Sequence, residues 1–324
     1  MFEVLVAAVV TFVIAPLVAR VMRNRGVMDV PNHRSSHSNP VPRGGGVACF
    51  VGILVALAFV AFRHDEAPWL VVAVAGALGI VGLVDDYKSL PAIVRLAAQI
   101  GAGATMGTLV GGGWWIALGA VTIPVVVNAV NFMDGINGIT SLTMTVWGAT
   151  AFILGKNQDL PSLSLVGALA AGSALGFLPW NLPTARLFLG DIGSYLFGGI
   201  AAAGLLIGWH GGVPEVLLAA PLTLYVIDTM TVLVKRAIRG ESLFVAHREH
   251  VYQRLVNDGA LSHAKVSVAV AVLSIIITAA WWPGSVLFGV AVTTVVVAAY
   301  LMSPRALARR SALGHNQPQK VEGQ

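Results

Sequence analysis

Asp85 and Asp86 stand side by side in the stretch GLVDDYKSL. Two adjacent carboxylates repel, and one is driven toward its protonated form unless a cation is close. A divalent metal or a basic cluster removes that cost. A further acid, Asp191, sits in RLFLGDIGS, and NAVNFMDGING at 128–138 gathers Asn128, Asn131, Asp134 and Asn137 at the end of an apolar run. Asn128 and Asn131 are three apart and share one face of a helix. Asp134 comes three residues later, where Gly135 can end that helix and let the chain turn close to a substrate. Amides both donate and accept, so they could complete a metal shell or hold a nucleotide or a sugar. Hard oxygen donors of this kind suit Mg²⁺ or Mn²⁺, and Mg²⁺ commonly shares its shell with substrate phosphates. No His or Cys cluster suited to zinc stands near these acids.

The opposite charge is supplied elsewhere. KRAIRGESLFVAHREHVYQR holds Lys235, Arg236, Arg239, His247, Arg248, His250 and Arg254. A basic loop beside anionic lipids accounts for part of this charge. Two histidines flanking an arginine go beyond that need and suit a clamp on phosphate. The earlier segment DVPNHRSSHSNPVPRGGG adds His33, Arg34, His37 and Arg43, and Gly44 to Gly46 could bring backbone amides to a phosphate. Arg95, ten residues after Asp85, either snorkels at a helix end or holds a diphosphate. Asp228, about two turns before Lys235, lies deeper in an apolar run and has no evident task. Acids, amides and bases at one membrane face point to a phosphorylated, hydrophilic substrate meeting a lipid. Phosphoryl transfer needs charge neutralisation and alignment more than covalent chemistry from the protein.

The elements that must position these residues are membrane helices. Of 324 residues, 56% are hydrophobic and only 11% charged. A soluble domain carries about 25% charged residues, so a soluble fold is excluded. Mean hydropathy is +0.80. Apolar runs long enough to cross a bilayer predict an all-α, polytopic transmembrane bundle of about eleven spans. They run near 2–22, 44–62, 68–84, 92–111, 114–131, 137–155, 162–179, 192–210, 213–234, 266–282 and 284–302. The first run carries Glu3 rather than a basic lead and is followed by Arg20, Arg23 and Arg25, as in a spanning helix whose C-terminal end is cytoplasmic. With the N-terminus outside and the C-terminus cytoplasmic, only Arg63 and Lys156 of the 20 lysines and arginines fall outside. Apart from the deeper Asp228, the acids and bases named above then face the cytoplasm from an integral cytoplasmic-membrane protein. The net charge of +5 sets orientation and does not indicate a nucleic-acid partner. The single cysteine, Cys49, excludes an intramolecular disulfide. One transmembrane domain is expected over 1–310, with a polar, disordered tail over 311–324.

In order along the chain, PNHRSSH, PRGGG, DDY, NAVNFMDGING, FLGDIGS and HREHVYQRL resemble the motifs of the polyprenyl-phosphate N-acetylhexosamine-1-phosphate transferases. The resemblance spans nearly the whole sequence, and its specificity lies in the ordered set. It implies that undecaprenyl phosphate attacks the β-phosphate of a UDP-linked N-acetylhexosamine, giving undecaprenyl-diphospho-sugar and UMP with Mg²⁺ or Mn²⁺. By that resemblance Asp85 and Asp86 activate the lipid phosphate or place the metal. Asp191 ligates the metal with Asn131 beside it, Arg95 contacts the diphosphate, and His247, Arg248 and His250 handle diphosphate or sugar. Asn128, Asp134 and Arg43 are expected at the same substrate. The family also implies a homodimer, for which the sequence shows no interface.

Two departures refine the expectation. Ser89 stands where many family members carry a third acid, which moves weight for metal binding to Asp191. HREH replaces a triple histidine, which argues against a muramyl-pentapeptide donor and toward the O-antigen or common-antigen branch. A dianionic phosphate, with a second pKa of about 6, hardly needs a base, which favours single displacement over an acyl-phosphate on Asp. Two rivals were weighed. An ion- or proton-coupled transporter would use intramembrane Asp as a relay. A CDP-alcohol phosphotransferase would need an Ala-Arg pair soon after Asp134-Gly135, and INGITSLTM follows instead.

Overall fold

A computed structural model of the chain describes residues 1–31, 39–61, 68–242, 248–258 and 261–315, with side chains to Leu307. It is a helical bundle. The helices are α1 (Phe2–Asn24), α2 (Gly46–Ala61), α3 (Trp69–Lys88), α4 (Ala92–Val110), α5 (Trp114–Met133), α6 (Ile139–Asn157), α7 (Pro161–Asn181) and α8 (Gly190–His210). They continue as α9 (Glu215–Ala219), α10 (Thr223–Ile238), α11 (Val251–Asn257), α12 (His263–Trp281) and α13 (Val286–His315). The described residues include one two-stranded ribbon, β1 (Met28–Asp29) against β2 (Val41–Pro42), in the α1–α2 linker.

α8 is the axis of the bundle. Every residue from Ile192 to Leu206 is buried, so the helix meets protein on all sides. Its small residues let neighbours come close, the usual means of packing helices that lipid would solvate equally well. A Cβ on Gly82 of α3 would lie 2.3 Å from the Asp191 carbonyl, and one on Gly46 of α2 would lie 2.3 Å from the Gly193 Cα. The ends of α2 and α3 therefore press directly on the first turn of α8. The outer helices turn large apolar side chains outward, among them Leu5, Phe12 and Leu17 of α1, Val272 and Ile275 of α12, and Leu287 and Val295 of α13. These are lipid-facing surfaces of an integral membrane protein.

Among the described residues, nine helices are long and apolar enough to cross a membrane. The two further runs in the expected set are α2, apolar but of 16 residues, and α6, whose start carries Thr140, Ser141, Thr143 and Thr145. Three local differences from the sequence expectation matter. α3 runs on to Lys88, so Asp85 and Asp86 belong to its last turn. The run expected at 213–234 is broken at a 3₁₀ turn, Ala220–Leu222, where Pro221 supplies no N–H. The basic segment contains an unforeseen short helix, α11. At the C-terminus α13 extends through 311–315, where a disordered tail was expected, and 316–324 lie outside the described residues.

Candidate active site

Helix ends deliver the acids. Asp85 and Asp86 are 6% and 5% exposed. The Leu90 N–H donates to Asp85 Oδ1 at 2.6 Å, and Arg95 Nη1 donates to Asp85 Oδ2 at 2.8 Å. Ser89 adopts the left-handed conformation, φ 49°, and turns the chain so that Arg95 in the first turn of α4 faces back on the acid. Asp86 looks the other way. Arg43 Nε stands 3.6 Å from Asp86 Oδ1, and Arg43 Nη2 donates to the Asp86 carbonyl at 2.5 Å. The Ile192 N–H, in the first turn of α8, donates to Asp86 Oδ2 at 3.3 Å. Gly190, at φ 75°, makes this approach possible, because a Cβ there would lie 2.7 Å from Asp86 Oδ2.

Asp191 meets α5. Asn131 Nδ2 donates to Asp191 Oδ1 at 2.8 Å and to Ser194 Oγ at 2.9 Å. The Asp191 carboxylate also interacts electrostatically with Asp86 and Asp85. Asn128 goes elsewhere: its Nδ2 donates to Gln99 Oε1 of α4 at 2.6 Å and to the Pro124 carbonyl at 2.8 Å. It lies one helical turn deeper than Asn131, on the same stripe but with different partners. Asp134 is half-buried at the end of α5. Burial pushes its carboxyl up to about 8, with the negative charges of Asp191 and Asp86 adding to the rise. Asp85, Asp86 and Asp191 thus share two arginines, leaving the site short of positive charge.

The glycine triplet has another use than the one expected. The Gly45 and Gly46 N–H groups donate to the Phe188 and Leu189 carbonyls, each at 2.8 Å. Arg43 forms a parallel bridge with Phe188. These contacts stitch the α1–α2 linker to the α7–α8 linker and set Arg43 over Asp86, so two of the three amides are committed within the protein.

The terminal basic segment separates into two parts. Arg236 Nη1 pairs with Glu249 at 3.1 Å and Glu241 at 3.0 Å, and Arg239 Nη2 pairs with Glu249 at 2.6 Å. The Arg239 hydrogen bond, followed by Arg236, holds the Glu249 carboxyl below its ordinary range. These two arginines are therefore engaged with acids of their own loop. Arg248 is half-buried, and its Nε has no hydrogen-bond partner among the described residues. His250 is 3% exposed, with its ring between Phe132, at 6.3 Å, and Tyr252, at 5.7 Å between centroids. Tyr252 Oη donates to the Phe132 carbonyl at 2.8 Å and packs on Gly135, so the segment is fastened to NAVNFMDGING. His247 lies outside the described residues.

The structure thus gathers Asp85, Asp86, Asp191, Asn131, Arg43 and Arg95 into one cluster, with Asp134 beside it at the end of α5 and His250 against Phe132 of the same helix; Arg248, two residues before His250, makes no described contact with the cluster. The sequence reading missed Gln99, Ser194 and the Leu90 amide. Gln99 was findable: it is a polar residue four places after Arg95 in an apolar helix, hence on the same face. Asp85, Asp86 and Asp191 offer only oxygen donors, a set that fits Mg²⁺ or Mn²⁺ better than zinc. Among the described residues no three His, Cys, Asp or Glu side chains form a ready metal cage. A cation here could take part of its shell from substrate phosphate, as Mg²⁺ commonly does. A cavity of about 430 Å³ lined by Trp69, Met106, Leu109 and His210 opens at the opposite ends of α3, α4 and α8. It is roughly 24 Å of helix away from the acids and plays no part in this cluster.

Residues 67–209 match the family model described as Glycosyl transferase family 4. That stretch contains all four acids and leaves out Arg43 and the terminal loop. Decaprenyl-phosphate N-acetylglucosaminephosphotransferase of Mycobacterium leprae is 30% identical over 342 residues, covering 89% of this chain and 82% of the relative. The probable undecaprenyl-phosphate N-acetylglucosaminyl 1-phosphate transferase of Bacillus subtilis is 27% identical over 299 residues, covering 83% and 81%. Undecaprenyl-phosphate alpha-N-acetylglucosaminyl 1-phosphate transferase of Thermotoga maritima is 28% identical over 260 residues, covering 77% and 80%.

Proposed function

Because the chain belongs to glycosyl transferase family 4, whose members named above are sugar-phosphate transferases, we propose that it moves an N-acetylhexosamine 1-phosphate from a UDP-sugar to undecaprenyl phosphate. The observation that carries this reading is the convergence of Asp85, Asp86, Asp191 and Asn131 with Arg43 and Arg95 at one end of a lipid-facing bundle. Such a cluster has what a diphosphate needs, which is positive side chains around it and acids that can hold a cation against it. N-acetylglucosamine, named in the relatives, is the first sugar to test.

Asp191, with Asp85 and Asp86, would hold Mg²⁺ or Mn²⁺, which supplies charge neutralisation at the phosphates. Arg43 and Arg95, already beside the acids, orient the phosphate groups. Arg248, whose Nε has no hydrogen-bond partner among the described residues, would reach the donor from the loop that His250 anchors. An oxygen of the acceptor phosphate forms the new bond to the β-phosphorus, the bond from that phosphorus to the bridging oxygen breaks, and UMP leaves with the electron pair. The acceptor is already mostly dianionic, so Asp85 and Asp86 serve to align charge rather than remove a proton.

In this reading the cluster faces the cytoplasm, with eleven spans, an external N-terminus and a cytoplasmic C-terminus, as the arrangement of basic residues supports. The transporter alternative loses its footing. The acids gather at one end of the bundle rather than in a line across it, and Asp228 is closed off by protein donors. Purified protein with undecaprenyl phosphate and a panel of UDP-N-acetylhexosamines tests the proposal. UMP release should depend on lipid and on Mg²⁺ or Mn²⁺, and should stop with chelator. No UMP from any donor would overturn it.

A further inference from the structure

Asp228 is fully buried and absent from the chemistry above. A carboxylate in such a place must be satisfied by protein groups. It is, from three directions. The Val251 N–H lies 3.1 and 3.0 Å from its two oxygens, His250 Nδ1 lies 3.3 Å from Oδ1, and Tyr300 Oη of α13 donates to Oδ2 at 2.8 Å. Two of these partners are consecutive residues of the terminal loop, and the third comes from the last helix.

Asp228 does not act alone. Asp228, Val232 and Arg236 follow at four-residue spacing and are all buried, so they form one stripe of α10. Asp228 grips His250 and Val251. Arg236, two turns on, grips Glu249 and the Ser242 carbonyl, the latter at 2.7 Å. The loop is thus held at two points along a rigid helix, while Tyr252 fastens its far side to Phe132. Between these holds sit Arg248 and His250.

We propose that Asp228 is a positioning residue that, with Tyr300, fixes the loop carrying Arg248 and His250 in the register the donor diphosphate requires. This rests on the reading of the donor given above. The carboxylate accepts a backbone N–H through both oxygens, which an amide of equal size cannot do, so Asp228→Asn keeps the shape and loosens the hold. Tyr300→Phe removes one donor and leaves the ring packing in place.

The test combines steady-state kinetics with hydrogen exchange on purified full-length protein. In Asp228→Asn the apparent KM for the UDP-sugar should rise roughly tenfold, the effect of losing one hydrogen bond to a charged group. Tyr300→Phe should show a smaller rise of the same kind. kcat and the KM for undecaprenyl phosphate should stay within about twofold, a separation that general destabilisation would not give. Amides of 248–257 should exchange faster in both variants while those of α3, α5 and α8 keep their protection. Unchanged exchange in the loop, or an equal loss in kcat and both KM values, would overturn the assignment. If Asp228→Asn does not accumulate, Tyr300→Phe decides by the same readouts. Wild-type protein that releases no UMP would reject the donor reading, and loop exchange would still judge the anchor by itself.

Discussion

Asp85 and Asp86 are adjacent in sequence and have separate partners in space. Successive residues on a helix point about 100° apart, so Asp85 turns to Arg95 and the α3–α4 turn while Asp86 turns to Arg43 and α8. The repulsion anticipated from the pair is met by one arginine each, Arg43 from the α1–α2 linker and Arg95 from the first turn of α4. The Asp191 carboxylate accepts from the Asn131 amide and stands near the like charges of Asp86 and Asp85, which leaves it the acid most in need of a cation. Asp191→Asn should therefore lower turnover by at least about 100-fold while the protein still inserts and elutes as wild type. Near-normal UMP release would remove Asp191 from the proposed metal ligands. Arg248→Ala should raise the KM for the UDP-sugar severalfold more than the KM for the lipid, and equal KM shifts would count against a donor clamp. At this scale the sequence exposed the acids and the terminal loop, because polar residues are costly in an apolar chain and therefore conspicuous. It could not show that Asn128 pairs with Gln99, or that Arg236 and Arg239 pair with Glu241 and Glu249. Those pairings depend on which helices are neighbours.

Helix α3 reaches the site by sliding closely along α8. Gly82, one turn before Asp86, is where the two backbones nearly touch. Gly82→Ala should cost about 1–3 kcal/mol of stability as an overpacked contact, and should depress activity by moving Asp85 and Asp86 off Asp191. Gly101→Ala on α4, where a Cβ would meet nothing within 4 Å, should be neutral or slightly stabilising. Thermal unfolding of both variants in the same detergent checks the contrast, and equal behaviour would show that the α3–α8 contact tolerates a methyl group. The apolar runs disclosed most helices within a few residues, since length and composition alone separate a spanning helix from a linker. They did not disclose the break at Pro221 or the short α11. The first is one proline inside a continuous apolar run, and the second is a polar helix ordered by its partners, among them Asp228 and Phe132.

Over the whole molecule, one end of the bundle carries the acids and the terminal loop, and the other carries the short connections around Lys156 and Gly211. Membrane-impermeant thiol labelling can assign the sides, because Cys49 is buried and Gln158 and Asp258 are exposed. Gln158→Cys should label on intact cells and Asp258→Cys only after permeabilisation, and the reverse pattern would invert the topology. The helical bundle is a whole-chain property that composition carries well. The assembly of the site is not, because its parts come from helix ends and a linker far apart in sequence. Arg43 and Asp86 leave the ribosome first of these, Asp191 about a hundred residues later, and Tyr300 about a hundred after that. A chain cut short before α13 would possess every acid and arginine of the cluster yet lack the hydroxyl that closes over Asp228. Synthesis of α13 is in that sense a late step in fastening the loop, and a product without it would hold that loop by fewer contacts.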